Sequence, residues 1–118
     1  MKLPNAENAV VDIAKLRDYC LNPNHPKGKH KARAFLDKLG LERNDAELFR
    51  QSRLEAILRA EAVEEQATEF GRRFVVDFEL QRGVGVIAYT AFVPTAWIVR
   101  NNEDFPRLST CYCPRRSL

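Results

Sequence analysis

Arg72-Arg73-Phe74-Val75-Val76-Asp77-Phe78-Glu79-Leu80 is the stretch that sets the fold class. Phe74, Val76, Phe78 and Leu80 alternate with Arg73, Val75, Asp77 and Glu79, and a period of two lays the first set on one face of a half-buried strand. That strand is expected to end at Gln81-Arg82-Gly83. Beyond it, Val84 to Arg100 is rich in Val, Ile, Thr, Tyr and Phe and contains Pro94, which suits an edge or a bulge. Asn101-Asn102-Glu103-Asp104 reads as a polar turn, and Pro106 to Cys113 as the last strand. The tail, Pro114-Arg115-Arg116-Ser117-Leu118, is expected to be mobile.

Upstream of Arg72 the period is helical. Val11, Ile13, Leu16 and Cys20 mark an amphipathic helix near Asp12 to Leu21, ended by Asn22-Pro23-Asn24-His25-Pro26. Gly28 releases the chain into a second helix with Ala32, Phe35, Leu36 and Leu39 on one face, and Gly40 is its stop. A third helix opens at Asn44, with Glu47 completing a capping box, and carries Ala46, Leu48, Leu54, Ile57, Leu58 and Ala62. The acidic run Glu61-Ala62-Val63-Glu64-Glu65 reads as a solvated face. The expected architecture is therefore one α+β domain over residues 1–118, with N-terminal helices packed on a C-terminal antiparallel meander of three or four strands.

Composition sets the outer bounds. The 118 residues are 45% hydrophobic, enough for a real core, and a net charge of +3 permits nucleic-acid binding without requiring it. The opening residues lack the apolar run of a signal peptide and no stretch reaches the roughly 20 apolar residues that span a bilayer, so a soluble cytoplasmic protein without a membrane partner is expected. Three cysteines, Cys20, Cys111 and Cys113, leave one unpaired in any disulfide scheme, which fits a reducing compartment. A zinc site from these and His25 would need a C-x-C pair on a strand in place of the usual two-residue knuckle, so no metal and no cofactor are expected.

Chemistry-bearing groups concentrate in His25-Pro26-Lys27-Gly28-Lys29-His30-Lys31-Ala32-Arg33-Ala34-Phe35. Both histidines and four basic side chains fall within these eleven residues, without one carboxylate. Histidine titrates near neutral pH, and lysine and arginine hold phosphate oxygens. Lys27, Gly28 and Lys29 form a helix entrance whose free N–H groups favour an anion, and Lys31 sits at the rim of the core. The same charges can equally be solubilising. On the last strand, Leu108, Thr110 and Tyr112 are expected on one face and Arg107, Ser109 and Cys111 on the other. Its hydroxyls can orient a phosphate or complete a core edge, and Trp97 can anchor the core or stack a base.

The pattern Leu16-x-x-Tyr19-x-Leu21-Asn22-Pro23-x-His25-Pro26-x-Gly28-x-x-Lys31-Ala32-x-x-Phe35-x-x-x-Leu39-Gly40, then Thr95-Ala96-Trp97-Ile98, then Pro106-Arg107-Leu108-x-Thr110-x-Tyr112, resembles an uncharacterised bacterial domain family. Its members are small stand-alone proteins and C-terminal modules of polymorphic contact-dependent toxins. That context implies a nuclease, and the element order is similar to the ribonuclease superfamily of barnase, RelE and the colicin-like toxins, which cut RNA without metal. The implied activity is a toxin-like, metal-independent endoribonuclease of a toxin–antitoxin-type pair. His25 or His30 would be base or acid, Lys31 and Arg107 would neutralise phosphoryl charge, and Thr110 and Tyr112 would orient the phosphate. Lys27, Gly28, Lys29, Arg33 and Trp97 would bind the RNA. The alternative is a non-enzymatic partner, antitoxin-like, immunity-like or a nucleic-acid-binding module. A neighbouring-gene protein is the expected partner, and the strand edge near Tyr112 can also pair with a second copy.

Overall fold

The structure of the chain, a computed structural model, describes residues 1–84 and 87–117, with side chains described except at 82–84, 87–89, 116 and 117. Gly85 and Val86, inside the expected β-rich run, and Leu118, in the expected tail, lie outside the described residues. Helices come first and an antiparallel sheet follows, an α+β fold.

The first helix begins at Asp12, whose carboxylate accepts the Ala14 amide at 2.9 Å. A turn of α-helix (α1, Ile13–Lys15) widens into a π-helical turn, Leu16–Cys20, closed where the Leu21 amide donates to the Leu16 carbonyl at 2.8 Å. Helix α2 is Lys29–Leu39, and Gly40 ends it at φ 68°, a left-handed conformation that a side chain would strain. Its inner stripe is Ala32, Phe35 and Leu39; Leu36, expected inside, is 46% exposed.

Helix α3, Ala46–Ala56, is reached through a 3-10 turn, Arg43–Asp45. Asn44 does not cap it as expected. Asp45 accepts the Glu42 amide at 2.8 Å, and Glu47 pairs with Arg50 and Gln51 on the surface. The core side of this region is Ala46, Phe49, Ile57 and Ala62, whereas Leu48 (72% exposed) and Leu58 face outward. Phe49 was hidden because the apolar residues outnumber the positions of one stripe.

Among the described residues five strands form the sheet: β1 Val63–Thr68, β2 Gly71–Val84, β3 Ile87–Arg100, β4 Pro106–Cys111 and β5 Arg115–Ser117. The order is β1-β2-β3-β4, and β5 pairs with β3 beyond the end of β4. Strand β1, unexpected, is exposed throughout and carries no alternation, so an acidic edge strand looks like a solvated face. Strand β2 keeps the expected pattern, Phe74, Val76 and Phe78 buried, but continues past Gly83 to pair Val84 with Ile87. The tail is likewise a strand: Arg115 to Ser117 pairs with Thr90 to Phe92, and Arg115 bonds Asp77 at 2.8 Å.

Pro94 stands in the sheet's central strand rather than at an edge. Its carbonyl accepts the Tyr112 amide at 2.8 Å, just past the end of β4, so its missing N–H falls at the gap between β4 and β5. Trp97, Phe74, Val76, Val93, Leu108 and Cys111 meet Leu16, Cys20, Phe35, Phe49 and Ile57 in one core. The outer edge of β4 is itself paired at its start, where Val10 bonds Pro106 and Leu108. Asp18 ties the π turn to the approach of α3 by pairing with Arg17 and Arg43 at 2.9 and 2.8 Å, which holds its carboxyl well below the usual carboxylate range.

Candidate functional site

The site grows from the turn between the π turn and α2. His25 Nδ1 accepts the amides of Lys27 and Gly28 at 3.0 and 2.9 Å, and its carbonyl accepts the Lys29 amide at 3.0 Å. Nδ1 is thereby committed as an acceptor to two backbone amides. All three N–H groups expected to receive an anion at Lys27, Gly28 and Lys29 are therefore spent on His25. Gly28 is required for a reason the turn alone does not reveal: a Cβ there would lie 2.4 Å from the Tyr19 carbonyl oxygen, so the backbones touch.

That contact brings α2 against Tyr19. The His25 ring meets the Tyr19 ring edge-on at 4.8 Å, and the Lys31 ammonium lies 5.0 Å from the centre of the same ring. From there Lys31 donates to the Thr110 hydroxyl on β4 at 3.3 Å. Residues 31 and 110, 79 apart in sequence, therefore share one place. A cleft of about 250 Å³ opens beside them, walled by Lys15, Tyr19, Cys20, Ser109, Thr110 and Cys111. The Lys15 ammonium donates to the Ser109 carbonyl at 3.0 Å. No carboxylate lines this cleft, and among the described residues neither lysine is in an ion pair.

Cys20 and Cys111, both buried and unbridged, meet at the floor of the cleft. The Cys111 thiol hydrogen-bonds the Cys20 sulfur, and with the nearby Lys31 and Lys15 charges this lowers the Cys20 thiol to about 7 against the opposing effect of burial. Cys111 moves the other way, held well above the ordinary range by Cys20 and by burial. Sequence reading missed Tyr19, Cys20 and Lys15 as site residues. The helical stripe assigned Cys20 to the core, and nothing local tied it to Cys111.

The remaining expected residues are dispersed. Thr110 does not share a face with Leu108: the register slips between Ala96 and Trp97, leaving Ser109 without a β3 partner, so Leu108 and Cys111 point inward and Ser109 is the bulge. Arg107 is gripped by Glu103 through two bonds of 2.8 and 2.7 Å and packs on Phe105, so its charge is already met. Trp97 is 1% exposed and donates its indole N–H to Thr95 Oγ1 at 2.8 Å, which in turn donates to the Val76 carbonyl at 2.7 Å. It anchors the core and has no free face for a base. Lys27, Lys29 and His30 are exposed around the start of α2, Arg33 pairs with Asp37 one turn on, and Tyr112 is exposed after β4.

Among the described residues no three His, Cys, Asp or Glu side chains cluster to hold a metal ion, and no helix is long and apolar enough to cross a membrane. Comparison with curated proteins and with solved structures finds no match. Residues 2–115 match the family described as Domain of unknown function (DUF6883), nearly the whole chain, and the protein belongs to that family.

Proposed function

We propose that this chain binds a phosphodiester of RNA at Lys31 and Thr110 and cleaves it without metal, as a toxin-like endoribonuclease of a bacterial toxin–antitoxin-type pair. The observation that carries the reading is the Lys31 ammonium at 3.3 Å from the Thr110 hydroxyl, beside Lys15, on a cleft without carboxylates. Two ammonium groups outside any ion pair among the described residues, with a hydroxyl, suit a phosphate, because each can supply a donor and the lysines supply opposite charge.

In the proposed reaction a ribose 2′-oxygen attacks the adjacent phosphorus, giving a 2′,3′-cyclic phosphate and releasing the 5′-oxygen as a hydroxyl. A single base takes the 2′ proton and returns it to the leaving 5′-oxygen, so the proton count balances. Lys31 and Lys15 meet the charge that grows on the phosphoryl oxygens, and Thr110 orients them. His25 is committed to its turn, so proton transfer falls to His30, next to Lys31 on the exposed start of α2. Lys27 and Lys29 add attraction for the RNA backbone that is independent of sequence.

The test is cleavage of a labelled oligoribonucleotide by the purified chain in excess chelator. Fragments ending in 2′,3′-cyclic phosphate are expected, with the rate falling about 100-fold to 1,000-fold in Lys31→Ala and in Thr110→Ala. Equal cleavage by both variants would remove these residues from the mechanism. Induction in cells should arrest growth, with relief by the product of a neighbouring gene.

A second reading, a non-enzymatic binding partner, draws on a different feature. Leu36 is 46% exposed beside a cleft of about 500 Å³ that includes Pro23 and Ala32. It predicts harmless expression and a tight protein complex that Leu36→Glu disrupts.

A further inference from the structure

We infer that the larger cleft adjoining the Lys31 site, walled by Phe70, Ile98 and Leu108 and rimmed by Asn102 and Ser109, is a nucleobase subsite; this deepens the phosphodiester reading and rests on it. The cleft measures about 600 Å³, a size usual for small-molecule sites. It adjoins the smaller one, since Lys15, Leu108 and Ser109 line both. A nucleotide with its phosphate at Lys31 would place its base on this side.

Three features favour a base here. Phe70, 66% exposed at the turn joining β1 to β2, offers an aromatic face to one side of the cleft. Such faces stack any base, and Ile98 supplies apolar contact. The turn that carries Phe70 is fixed in advance. Its amide donates to Thr68 Oγ1 at 3.2 Å, its carbonyl accepts the Asn101 amide at 3.2 Å, and Asn101 Nδ2 donates to the Glu69 carbonyl at 2.7 Å. Gly71 permits this closeness at φ 149°, since a Cβ there would sit 2.1 Å from the Val99 carbonyl oxygen. A turn held this way loses little backbone freedom on binding.

Charge then sorts the two parts of a nucleotide. The larger cleft mixes the carboxylates of Asp12 and Glu69 with the cations of Lys15, Arg100 and Arg107, and both arginines also face Glu103. A phosphate would meet the two carboxylates there and an Arg107 already gripped by Glu103, whereas a neutral heterocycle with N–H donors and carbonyl acceptors finds partners of both kinds. The Asn102 side-chain amide, with no hydrogen bond to another described residue, adds a donor and an acceptor. The carboxylate-free neighbour takes the anion.

The experiment is a 1H–15N NMR titration of the full chain with inorganic phosphate, with adenosine and uridine, and with their 3′-monophosphates. Nucleosides should shift the amides of Phe70, Asn102 and Ser109, phosphate those of Lys31 and Thr110, and the monophosphates both sets. Phe70→Ala, at an exposed position, should weaken the monophosphates at least about tenfold, the size of one base–aromatic stack, and leave phosphate unchanged, while Phe70→Tyr restores binding. Phosphate arriving at Lys31 while nucleosides leave the larger cleft untouched would overturn the subsite and spare the phosphodiester reading. Nucleosides filling the cleft in a Phe70-dependent way while phosphate ignores Lys31 would support the base site and sink that reading. No nucleoside response and no phosphate response would overturn both.

Discussion

His25 illustrates how a side chain with catalytic chemistry can be claimed by structure. Its Nδ1 lone pair holds two backbone amides, so His25→Ala should cost about 1 kcal/mol in urea unfolding, comparable to losing a helix cap, whereas His25→Asn, which keeps an acceptor, should cost only a few tenths. If His25→Asn also cleaves RNA normally, the ring is a cap alone. Cys20 shows the reverse, a core residue with unexpected acidity. Thiolate absorbance near 240 nm should rise as pH passes about 7, with Cys20 ionising first because Cys111 is held well above the ordinary range. Removing the donor in Cys111→Ala should move that midpoint upward; an unmoved midpoint would mean the lysines alone set it.

At the scale of elements, close approach decides where α2 stands. Gly28→Ala would force the start of α2 away from Tyr19, at a cost of about 1–3 kcal/mol, and lengthen the reach from Lys31 to Thr110. Chemical denaturation measures the first effect, and loss of phosphate-induced shifts at Thr110 the second. Within the sheet, the Trp97–Thr95–Val76 chain is a buried relay of hydrogen bonds. Thr95→Val leaves the indole N–H without its acceptor and should cost about 1–3 kcal/mol; a double-mutant cycle with Trp97→Phe should show the two losses to be non-additive. The β4 bulge was illegible beforehand, because strict alternation is the only pattern a strand of six residues offers. One extra residue at Ser109 reverses every later side chain, which is why Cys111 is inside and Thr110 is not beside Leu108.

Across the whole molecule, the C-terminal segment closes the structure. Pro114 is buried and its carbonyl accepts the Lys38 ammonium at 2.9 Å, while β5 pairs with β3 at Thr90 to Phe92. Ending the chain at Cys113 should therefore lower the thermal midpoint by at least about 5 °C and open that edge of β3 to pairing between chains. Light scattering on a sizing column would reveal larger species, and an unchanged midpoint would show that β5 contributes nothing. Two arginines and a serine carry no hydrophobic alternation, so composition marked this segment as mobile. The same blindness hid β1, whose glutamates lie on a solvent-exposed edge.

Local pattern was enough for helices that precede an antiparallel sheet, for the inward Phe74, Val76 and Phe78 of β2, for Ala32, Phe35 and Leu39 of α2, and for the stop at Gly40, since each depends on residues within a turn or two of one another; it missed β1, β5 and the outward Leu36. Tertiary structure decided which polar groups became neighbours. Lys31 and Thr110 are 79 residues apart, Arg107 was matched to Glu103 rather than left for a ligand, and Cys20 acquired Cys111 through the folding of a π turn onto a bulged strand. Local periodicity reports the face a side chain takes, but only the packing of distant elements sets what it meets there.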